Sequence, residues 1–310
     1  MSEPLALVPL AAAARGGTID SLDARQLVAA GLTLLQRCAP LVRALSPGKG
    51  AVLLPDSAAY LVALAACEGR SAVLLDPNAE PEELQRVIAV TNARVVFTLE
   101  RFAGAVPGGM PRVLLDAAPG HATFVHQAEN RVVDLGSHFG FAIEGEGDVD
   151  GRDEEAIVAR DEIAGGSVVL THRALIAGAR SVARAAELTS EDRVLAAIPF
   201  SGQLGLTASL VAPLLAGAHV TTSSAFAGEG ALEHVERSAA TVIVGEPASY
   251  SEILTALHRE GKELDAPALR LALLTGAATQ PELGEEWRRA TGVELLPVSG
   301  IPELDAIRLP

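Results

Sequence analysis

Few side chains of this 310-residue chain fall into the spacings that common catalytic motifs require. Ser201 and Ser299 lack the flanking glycines of the G-x-S-x-G elbow, which presents a nucleophilic serine on a sharp turn. His234 and Glu236 stand two residues apart, so they do not share a helix face as the zinc ligands of H-E-x-x-H do. The sequence also contains neither a G-x-x-x-x-G-K-[ST] phosphate loop nor a G-x-G-x-x-G that opens a helix after a strand. These generic hydrolase, zinc and nucleotide signatures are therefore excluded.

The most acidic stretch is also a poor metal site. Residues 144–155 hold seven acids against the single Arg152. Within this stretch, residues 146–151 resemble the start of a calcium-binding loop, but position one is Glu146 and position twelve is Ile157, where a bidentate carboxylate is needed. We interpret the run as a solvated charged segment, and we expect no metal site.

Cysteine and lysine chemistry are both limited by composition. Cys38 and Cys67 are the only cysteines, which excludes a disulfide scaffold and favours small buried apolar residues in a reducing compartment. Lys49 and Lys262 are the only lysines among 24 basic residues, so the rest are arginine. That usage is typical of a high-GC, bacterial genome.

The chain carries 24 basic and 39 acidic residues, a net charge of −15. So acidic a chain repels phosphate backbones and anionic lipids, and we expect neither nucleic acid nor a membrane as its partner. The longest apolar stretches, residues 4–14 and 58–67, fall short of the roughly 20 residues that a membrane-spanning helix needs. No basic segment precedes the first stretch, as a signal peptide would require. We therefore expect a soluble cytoplasmic protein.

Short apolar runs alternate with segments of helical spacing, which predicts an α/β protein. Because the runs are apolar on both faces, each sheet is expected to be mostly parallel and flanked by helices. Strands are predicted at residues 51–54, 72–75, 93–98, 112–116, 167–170, 194–198, 219–222, 241–244, 271–274 and 293–296. Helices are predicted at residues 21–45, 58–68, 173–187, 205–216, 232–238, 250–260 and 281–290, with a further one opening at residues 80–83.

From about residue 119 to residue 160 the periodicity fades, which predicts a solvated loop or a junction. The segments on either side look alike. We therefore predict two similar α/β subdomains, residues 1–155, ending in the acidic loop, and residues 156–310.

Several segments resemble one family of enzymes in their order and spacing. Residues 212–218, A-P-L-L-A-G-A, match a motif of that family almost letter for letter, and residues 198–206 are similar to its L-P-L-F-H-x-x-G-L segment. Residues 168–175 look like the strand and helix that follow its phosphate loop. Similar segments also lie at residues 54–57, 77–93, 245–250, 269–283 and 299–303. The chain resembles the adenylate-forming (AMP-binding) superfamily of acyl-CoA synthetases, luciferases and peptide-synthetase adenylation domains.

This resemblance implies the N-terminal domain of the acyl-adenylate-forming fold. Because the sequence stops at Pro310, it also implies that the family's β-barrel subdomain and C-terminal lid domain are not present. The family activates a carboxylate with ATP as an acyl adenylate and then passes it to a thiol.

The family's phosphate loop, T-S-G-T-T-G-x-P-K-G, aligns with residues 158–167, whose candidate residues are Arg160, Asp161, Glu162, Gly165, Gly166 and Ser167. Most of the hydroxyls and glycines and the lysine are lost. Glycines there let backbone N–H groups approach phosphate, and the hydroxyls and lysine supply donors. Asp161 and Glu162 would repel a triphosphate, and Arg160 would either contact phosphate or pair with these acids.

The nucleotide motifs are also incomplete. Their remnants are Thr275, Gly276, Ala277, Ala278, Ser299, Gly300 and Glu303. In the family's Y-G-x-T-E motif the tyrosine stacks on adenine and the threonine bonds phosphate, but here these positions are Ser299 and Pro302. Glu303 is the one retained catalytic candidate, and a single carboxylate does not make a magnesium site. We expect no cofactor.

The family's acyl pocket survives better, and its candidate residues are Phe200, Gly202, Gly205, Gly245 and Glu246. Gly202 stands where the family often has histidine or an aromatic residue, which would widen that corner. Glu246 would disfavour a fatty acyl chain if it faced the pocket unpaired.

Three readings of function follow. The first is a degenerate, non-catalytic member that binds, scaffolds or regulates, acting as a homodimer or with a partner synthetase or carrier protein, and able to bind a small acyl ligand. The second is an active acyl-activating or acyl-transfer enzyme with a rebuilt site, completed by another chain and dependent on ATP and Mg²⁺. The third is a ligand-binding α/β protein, or an enzyme with unrelated chemistry in the old pocket.

Overall fold

The computed structural model describes residues 16–42, 48–67, 71–116, 120–137, 155–160, 167–223, 230–275, 281–298 and 307–308. Its strands are β1 (Thr18–Ile19), β2 (Leu22–Asp23), β3 (Lys49–Leu53), β4 (Ala72–Leu74), β5 (Ala93–Thr98), β6 (Arg112–Leu115), β7 (His121–His126), β8 (Arg131–Ser137), β9 (Glu155–Arg160), β10 (Ser167–Thr171), β11 (Arg193–Ala197), β12 (His219–Thr222), β13 (Val242–Gly245), β14 (Leu271–Leu274), β15 (Glu294–Pro297) and β16 (Ile307–Arg308).

The helices alternate with the strands. They are α1 (Ala24–Val42), α2 (Ala58–Ala66), α3 (Pro81–Val90), α4 (His172–Ala185), α6 (Gly230–Ser238), α7 (Pro247–Glu260) and α8 (Pro281–Thr291). Between α4 and α6 lies α5, which consists of α-helical Gln203–Gly205, π-helical Leu206–Val211 and α-helical Ala212–Ala216. Two 3₁₀ turns, Glu100–Ala105 and Gln127–Glu129, complete the described elements.

The strands form two mixed sheets, which confirms the predicted α/β class. The first sheet has the order β16-β10-β9-β4-β3-β5-β6-β7-β8; its five central strands, from β9 to β6, are parallel, and antiparallel strands flank them. The second sheet has the order β15-β14-β13-β11-β12-β1-β2, and only β2 runs antiparallel.

Alternate residues along each strand point to opposite faces of its sheet, and the two faces pack into different hydrophobic cores. In β3, Val52 packs into a central core and Ala51 into an outer one. In β13, Val244 packs into the same central core and Ile243 into an outer core on the other sheet. Helices α1, α2, α4 and α5 supply the central core, while α3 covers the outside of the first sheet and α6, α7 and α8 that of the second. The result is five layers, in which helices alternate with sheets.

The two sheets exchange strands along the chain. Strands β9, β10 and β16 join the first sheet, whereas β1 and β2 join the second, where Thr18 is aligned with His219. Strands that precede residue 155 are therefore hydrogen-bonded to strands that follow it in both sheets. A subdomain boundary at residue 155 stays a prediction.

The prediction of a loop between residues 119 and 160 is wrong for the part of this range that the structure describes. β7 and β8 form an antiparallel hairpin, and β9 joins the sheet beside β4. In β7 the apolar residues Ala122 and Phe124 are buried, but they alternate with His121 and Thr123 on the half-buried face. Because every second residue of β7 is polar or half-buried, the strand shows no continuous apolar run in the sequence. Residues 138–154, which include nearly all of the acidic run, lie outside the described residues.

Helix α1 begins three residues later than predicted. Asp20 and Ser21 have positive φ angles of 48° and 72°, so the chain turns tightly from β1 into β2 before the helix starts at Ala24. Two-residue strands carry no periodicity of their own, and the pairing that forms them is distant in sequence.

The described residues lack two kinds of feature. None of their helices is both long enough and apolar enough to cross a membrane. Nor do they bring together three or more His, Cys, Asp or Glu side chains that could hold a metal ion.

A charged cluster joins the amino ends of three strands in the second sheet. The Asp192 carboxylate, just before β11, accepts two hydrogen bonds from the Arg270 guanidinium, each 2.9 Å long. It also accepts the Thr241 hydroxyl at 2.6 Å and the backbone N–H of Thr189 at 2.8 Å. Burial alone would raise the pKa of Asp192, but these donors outweigh burial and lower it to about 2.

We predict that Asp192→Asn lowers the free energy of unfolding by about 2 kcal/mol at pH 7, because it removes a charge that four donors stabilise. The depressed pKa makes this stabilisation complete above about pH 4 and lost as the pH falls towards 2. Urea unfolding between pH 2 and pH 7 measures both effects.

The matched control is Glu233→Gln, which breaks the exposed ion pair with Arg237 at 3.3 Å. We expect it to change the unfolding free energy by less than about 0.5 kcal/mol. Equal losses in the two variants would contradict the assignment of stability to the Asp192 cluster.

Candidate functional site

The predicted pocket residues gather at the carboxyl ends of the parallel strands, where open α/β sheets bind ligands. Phe200 and Gly202 follow β11, Gly245 ends β13 and Glu246 follows it, and Thr275 follows β14. Because β11, β13 and β14 are adjacent and parallel, all five residues lie along one edge of the second sheet. We call the segments after these strand ends, together with those after β3 and β4, the strand-end site.

Thr275 is fully buried and its polar atoms are used internally. Its backbone N–H donates to the Gly245 carbonyl at 2.9 Å, and its hydroxyl donates to the same oxygen at 3.1 Å. The hydroxyl therefore ties β14 to β13. Gly276, Ala277 and Ala278, which follow it, lie outside the described residues.

The aromatic ring of Tyr250 lies close to Gly245. A Cβ atom there would stand 3.3 Å from the ring of Tyr250 on α7. Tyr250 is itself held by its hydroxyl, which donates to the Leu273 carbonyl at 2.7 Å, and by the edge of Trp287, with the ring centroids 4.9 Å apart. Glu246, at the N-cap position of α7, is half-buried.

The segment after β11 turns tightly into α5. A Cβ atom at Gly205 would lie 1.9 Å from the Pro199 carbonyl oxygen, so only glycine allows this approach. Gly202 is buried, and the backbone N–H of Leu206 donates to its carbonyl at 2.9 Å. Phe200 is fully buried, and its ring meets the ring of Tyr60 edge-on, 5.4 Å between centroids. A role for these residues in an acyl pocket stays a prediction.

Two described residues, Arg160 and Ser167, flank the central part of the predicted phosphate loop. β9 runs parallel to β4 and pairs with β10 so that Arg160 is aligned with Ser167. Both residues therefore lie at the edge of the first sheet where its parallel strands end, and Ser167 is half-buried. Asp161, Glu162, Gly165 and Gly166 lie outside the described residues, as do the side chain of Arg160 and residues Ser299, Gly300 and Glu303.

One hydrogen bond joins the carboxyl edges of the two sheets. The Asp56 carboxylate, after β3, accepts the backbone N–H of Phe200, after β11, at 2.9 Å. Burial raises the pKa of Asp56 to about 7; the Phe200 N–H opposes this, and Asp76 and Asp20 add to it. The hydroxyl of Tyr60, on α2, is fully buried and has no hydrogen-bond partner among the residues that the structure describes. Burial, then Asp56 and Asp76, raise the pKa of that hydroxyl.

Sequence reasoning did not single out Asp56 or Tyr60. A signal for Asp56 was present in the resemblance itself, because residues 54–57 read L-P-D-S where the family carries L-P-N-S. An acid in place of an amide changes the charge of the position and hardly changes its size. Tyr60 gave no such signal.

The strand-end site is acidic. Residues 54–57, 75–79, 198–206 and 245–249 contain Asp56, Asp76 and Glu246 but neither lysine nor arginine. Asp20 adds a fourth carboxylate, since it binds Thr222 at the end of β12 through the backbone N–H at 2.8 Å. The first cation after the neighbouring strand β5 is Arg101, whose guanidinium lies over the ring of Phe102.

The comparisons agree with this architecture. The family model described as "AMP-binding enzyme" matches residues 167–303. A CoA ligase from Mycobacterium tuberculosis, named for a methyl-dioxo-octahydroindenyl propanoyl group, is 36% identical over 114 residues, which cover 37% of this chain and 22% of the relative. A feruloyl-CoA synthase from Amycolatopsis is 27% identical over 234 residues, covering 71% and 46% of the two chains.

Solved structures share the fold. The anthranilate CoA ligase AuaEII in complex with anthranoyl-AMP has a TM-score of 0.74 at 18% identity, covering 96% of this chain and 59% of that one. The N-terminal domain of FACL13 from Mycobacterium tuberculosis has a TM-score of 0.65 at 20% identity, covering 86% and 66%. At these identities the likeness shows the fold alone.

The fold is thus that of the N-terminal domain of acyl-adenylate-forming enzymes. Fold, family match and curated relatives agree, and together they support a member of the adenylate-forming superfamily. It spans less than half the length of the curated relatives that it matches.

We predict that Gly205→Ala lowers the free energy of unfolding by about 1–3 kcal/mol, because the added methyl group collides with the Pro199 carbonyl. Urea unfolding measures the change. The control is Gly284→Ala in α8, where a Cβ atom meets nothing within 4 Å. Alanine there should stabilise the helix by up to about 1 kcal/mol. A neutral Gly205→Ala would show that the turn into α5 is less constrained than its geometry indicates.

Proposed function

We propose that the chain is a non-catalytic member of the adenylate-forming superfamily, which binds a small acyl ligand or a partner protein and does not activate a carboxylate with ATP. We expect it to act as a homodimer or together with a synthetase or carrier protein. The observation that carries the proposal is the charge of the strand-end site, which supplies carboxylates where a triphosphate needs donors and cations.

Ionised carboxylates at this edge have the same sign of charge as a triphosphate and would repel it. Asp56, Asp76, Glu246 and Asp20 all lie at the edge where the parallel strands end. Two like charges about 4 Å apart cost about 1 kcal/mol in water and about 4 kcal/mol at the effective dielectric of a protein surface. Protonation of Asp56 reduces this repulsion but supplies no positive charge.

Three donors at the second sheet are already engaged. The Thr275 hydroxyl and backbone N–H both bind the Gly245 carbonyl, and the Phe200 N–H binds Asp56. In the sequence of the phosphate loop, Asp161 and Glu162 replace hydroxyl residues, and no lysine is present. Each of these features removes a contact on which the family's reaction depends.

The relatives support a second candidate, an active acid–thiol ligase. Three of them are named as CoA ligases, one of these as a probable one, and the anthranilate ligase is seen with anthranoyl-AMP. In that case ATP and Mg²⁺ would bind here, Glu303 would be the metal-binding carboxylate, and another chain or segment would supply the missing cations.

We predict that titration of the purified chain with ATP·Mg²⁺ in a calorimeter gives no heat up to about 1 mM, corresponding to binding weaker than about −4 kcal/mol. Carboxylate-dependent exchange of pyrophosphate into ATP should likewise be absent. Micromolar ATP binding, or exchange above background, would overturn the proposal in favour of the active ligase.

A pair of variants tests the electrostatic reason. Asp161→Thr with Glu162→Ser removes two charges from the phosphate loop, and Glu82→Thr with Glu83→Ser removes two exposed charges from α3. We expect the first pair to tighten ATP binding by about tenfold or more relative to the second. Equal affinities in the two variants would show that repulsion at the loop is not the cause.

A further inference from the structure

The contact between Asp56 and Phe200 joins two segments that are 144 residues apart in sequence. Asp56 follows a strand of the first sheet, and Phe200 lies in the turn, residues 198–202, that leads from the second sheet into α5. The same turn is packed from the first half of the chain by the ring of Tyr60. A change at Asp56 therefore acts directly on the position of this turn.

We propose that Asp56 is a proton-controlled tether, which holds the turn at residues 198–202 against the first sheet when it is protonated and releases it when it is ionised. The inference concerns the opening of the fold at this turn. It does not depend on whether the site binds ATP, an acyl ligand or a partner.

The groups that face Asp56 explain why ionisation weakens the contact. From the first sheet it faces Asp76, after β4, and from the second sheet Asp20, in the β1–β2 turn; both are acids. From α2 it faces Tyr60, whose buried hydroxyl makes no hydrogen bond to any other described residue. Residues 198–206, which pack from α5, contain no charged side chain. Among the described residues, no ion pair includes Asp56.

The Phe200 N–H still favours the ionised carboxylate, but a single donor does not replace the water that burial removes. Opening of the turn rehydrates the carboxylate, so its pKa returns to about 3.9 in the open state, from about 7 in the closed state. Because the closed state binds the proton more tightly, the population of the open state rises with pH between these two values. With these two pKa values, the population of the open state rises about a hundredfold between pH 5 and pH 8.

Hydrogen exchange of the Phe200 amide reads this contact directly, since that amide is the donor. We expect its protection factor, corrected for the intrinsic exchange rate, to fall by about a hundredfold from pH 5 to pH 8. The internal control is the amide of Val298, at the same edge, which donates to the Leu274 carbonyl at 2.9 Å. Its acceptor does not titrate, so its protection should stay constant.

Asp56→Asn keeps an acceptor oxygen and removes the titration, so the pH dependence at Phe200 should disappear. The matched control is Asp23→Asn, because the Asp23 carboxylate also accepts a backbone N–H, that of Gln26 at 3.0 Å, away from this contact. In that variant the pH dependence at Phe200 should persist.

Three outcomes would overturn the proposal: constant protection at Phe200 in the unmodified chain, an equal fall at Val298, or a fall that persists in Asp56→Asn. If Asp56→Asn does not fold, the carboxyl carbon of Asp56 is titrated by NMR in the unmodified chain. A midpoint near pH 7 would support the tether, and a midpoint near pH 4 would overturn it.

Discussion

The packing of α1 against α2 is the contact around which the rest of the molecule is arranged. A Cβ atom at Gly31 in α1 would lie 2.4 Å from the Val62 carbonyl in α2, so the two helix backbones touch. All nine residues of α2 are buried, and the helix has no polar face because both sheets and α1 surround it. Both sheets bury one face against this layer. Its thickness therefore determines how closely their carboxyl edges approach, and at that approach Asp56 reaches Phe200.

The same geometry explains why the fold depends little on the residues of the strand-end site. The apolar core depends on alternating residues such as Val52 and Val244, which face inward from the two sheets. The strand-end site depends on residues that follow the strands and contribute little to that core. Acids and lost hydroxyls can therefore accumulate in the site while the sheets remain intact. The contacts of Thr275 and Gly205 belong to the fold, because the first ties β14 to β13 and the second allows the tight turn into α5.

Although it placed β9 in a predicted loop, sequence reasoning located the other buried parallel strands from β3 to β14, and β5 matches the predicted residues 93–98. Such strands are apolar on both faces, so a short run is visible without knowledge of its neighbours. It missed β1 and β2, which are two residues each, and the β7–β8 hairpin, whose polar face dilutes the pattern. For the site, the resemblance named residues along one edge of the second sheet. It did not reveal Asp56, because the burial of that carboxylate results from contacts with residues more than a hundred positions away.

The pairing of β1 with β12 has a consequence for the order of events during synthesis. Thr18 binds His219 through a hydrogen bond of 3.0 Å between side chains 201 residues apart. At roughly 5–20 residues per second, a ribosome needs about 10–40 s to make the chain between them. During that interval the β1–β2 segment has no strand beside which to lie, and the apolar side chain of Ile19 has no core. The first strand of the second sheet to be made therefore stays without its neighbour β12 until about 200 further residues have been added.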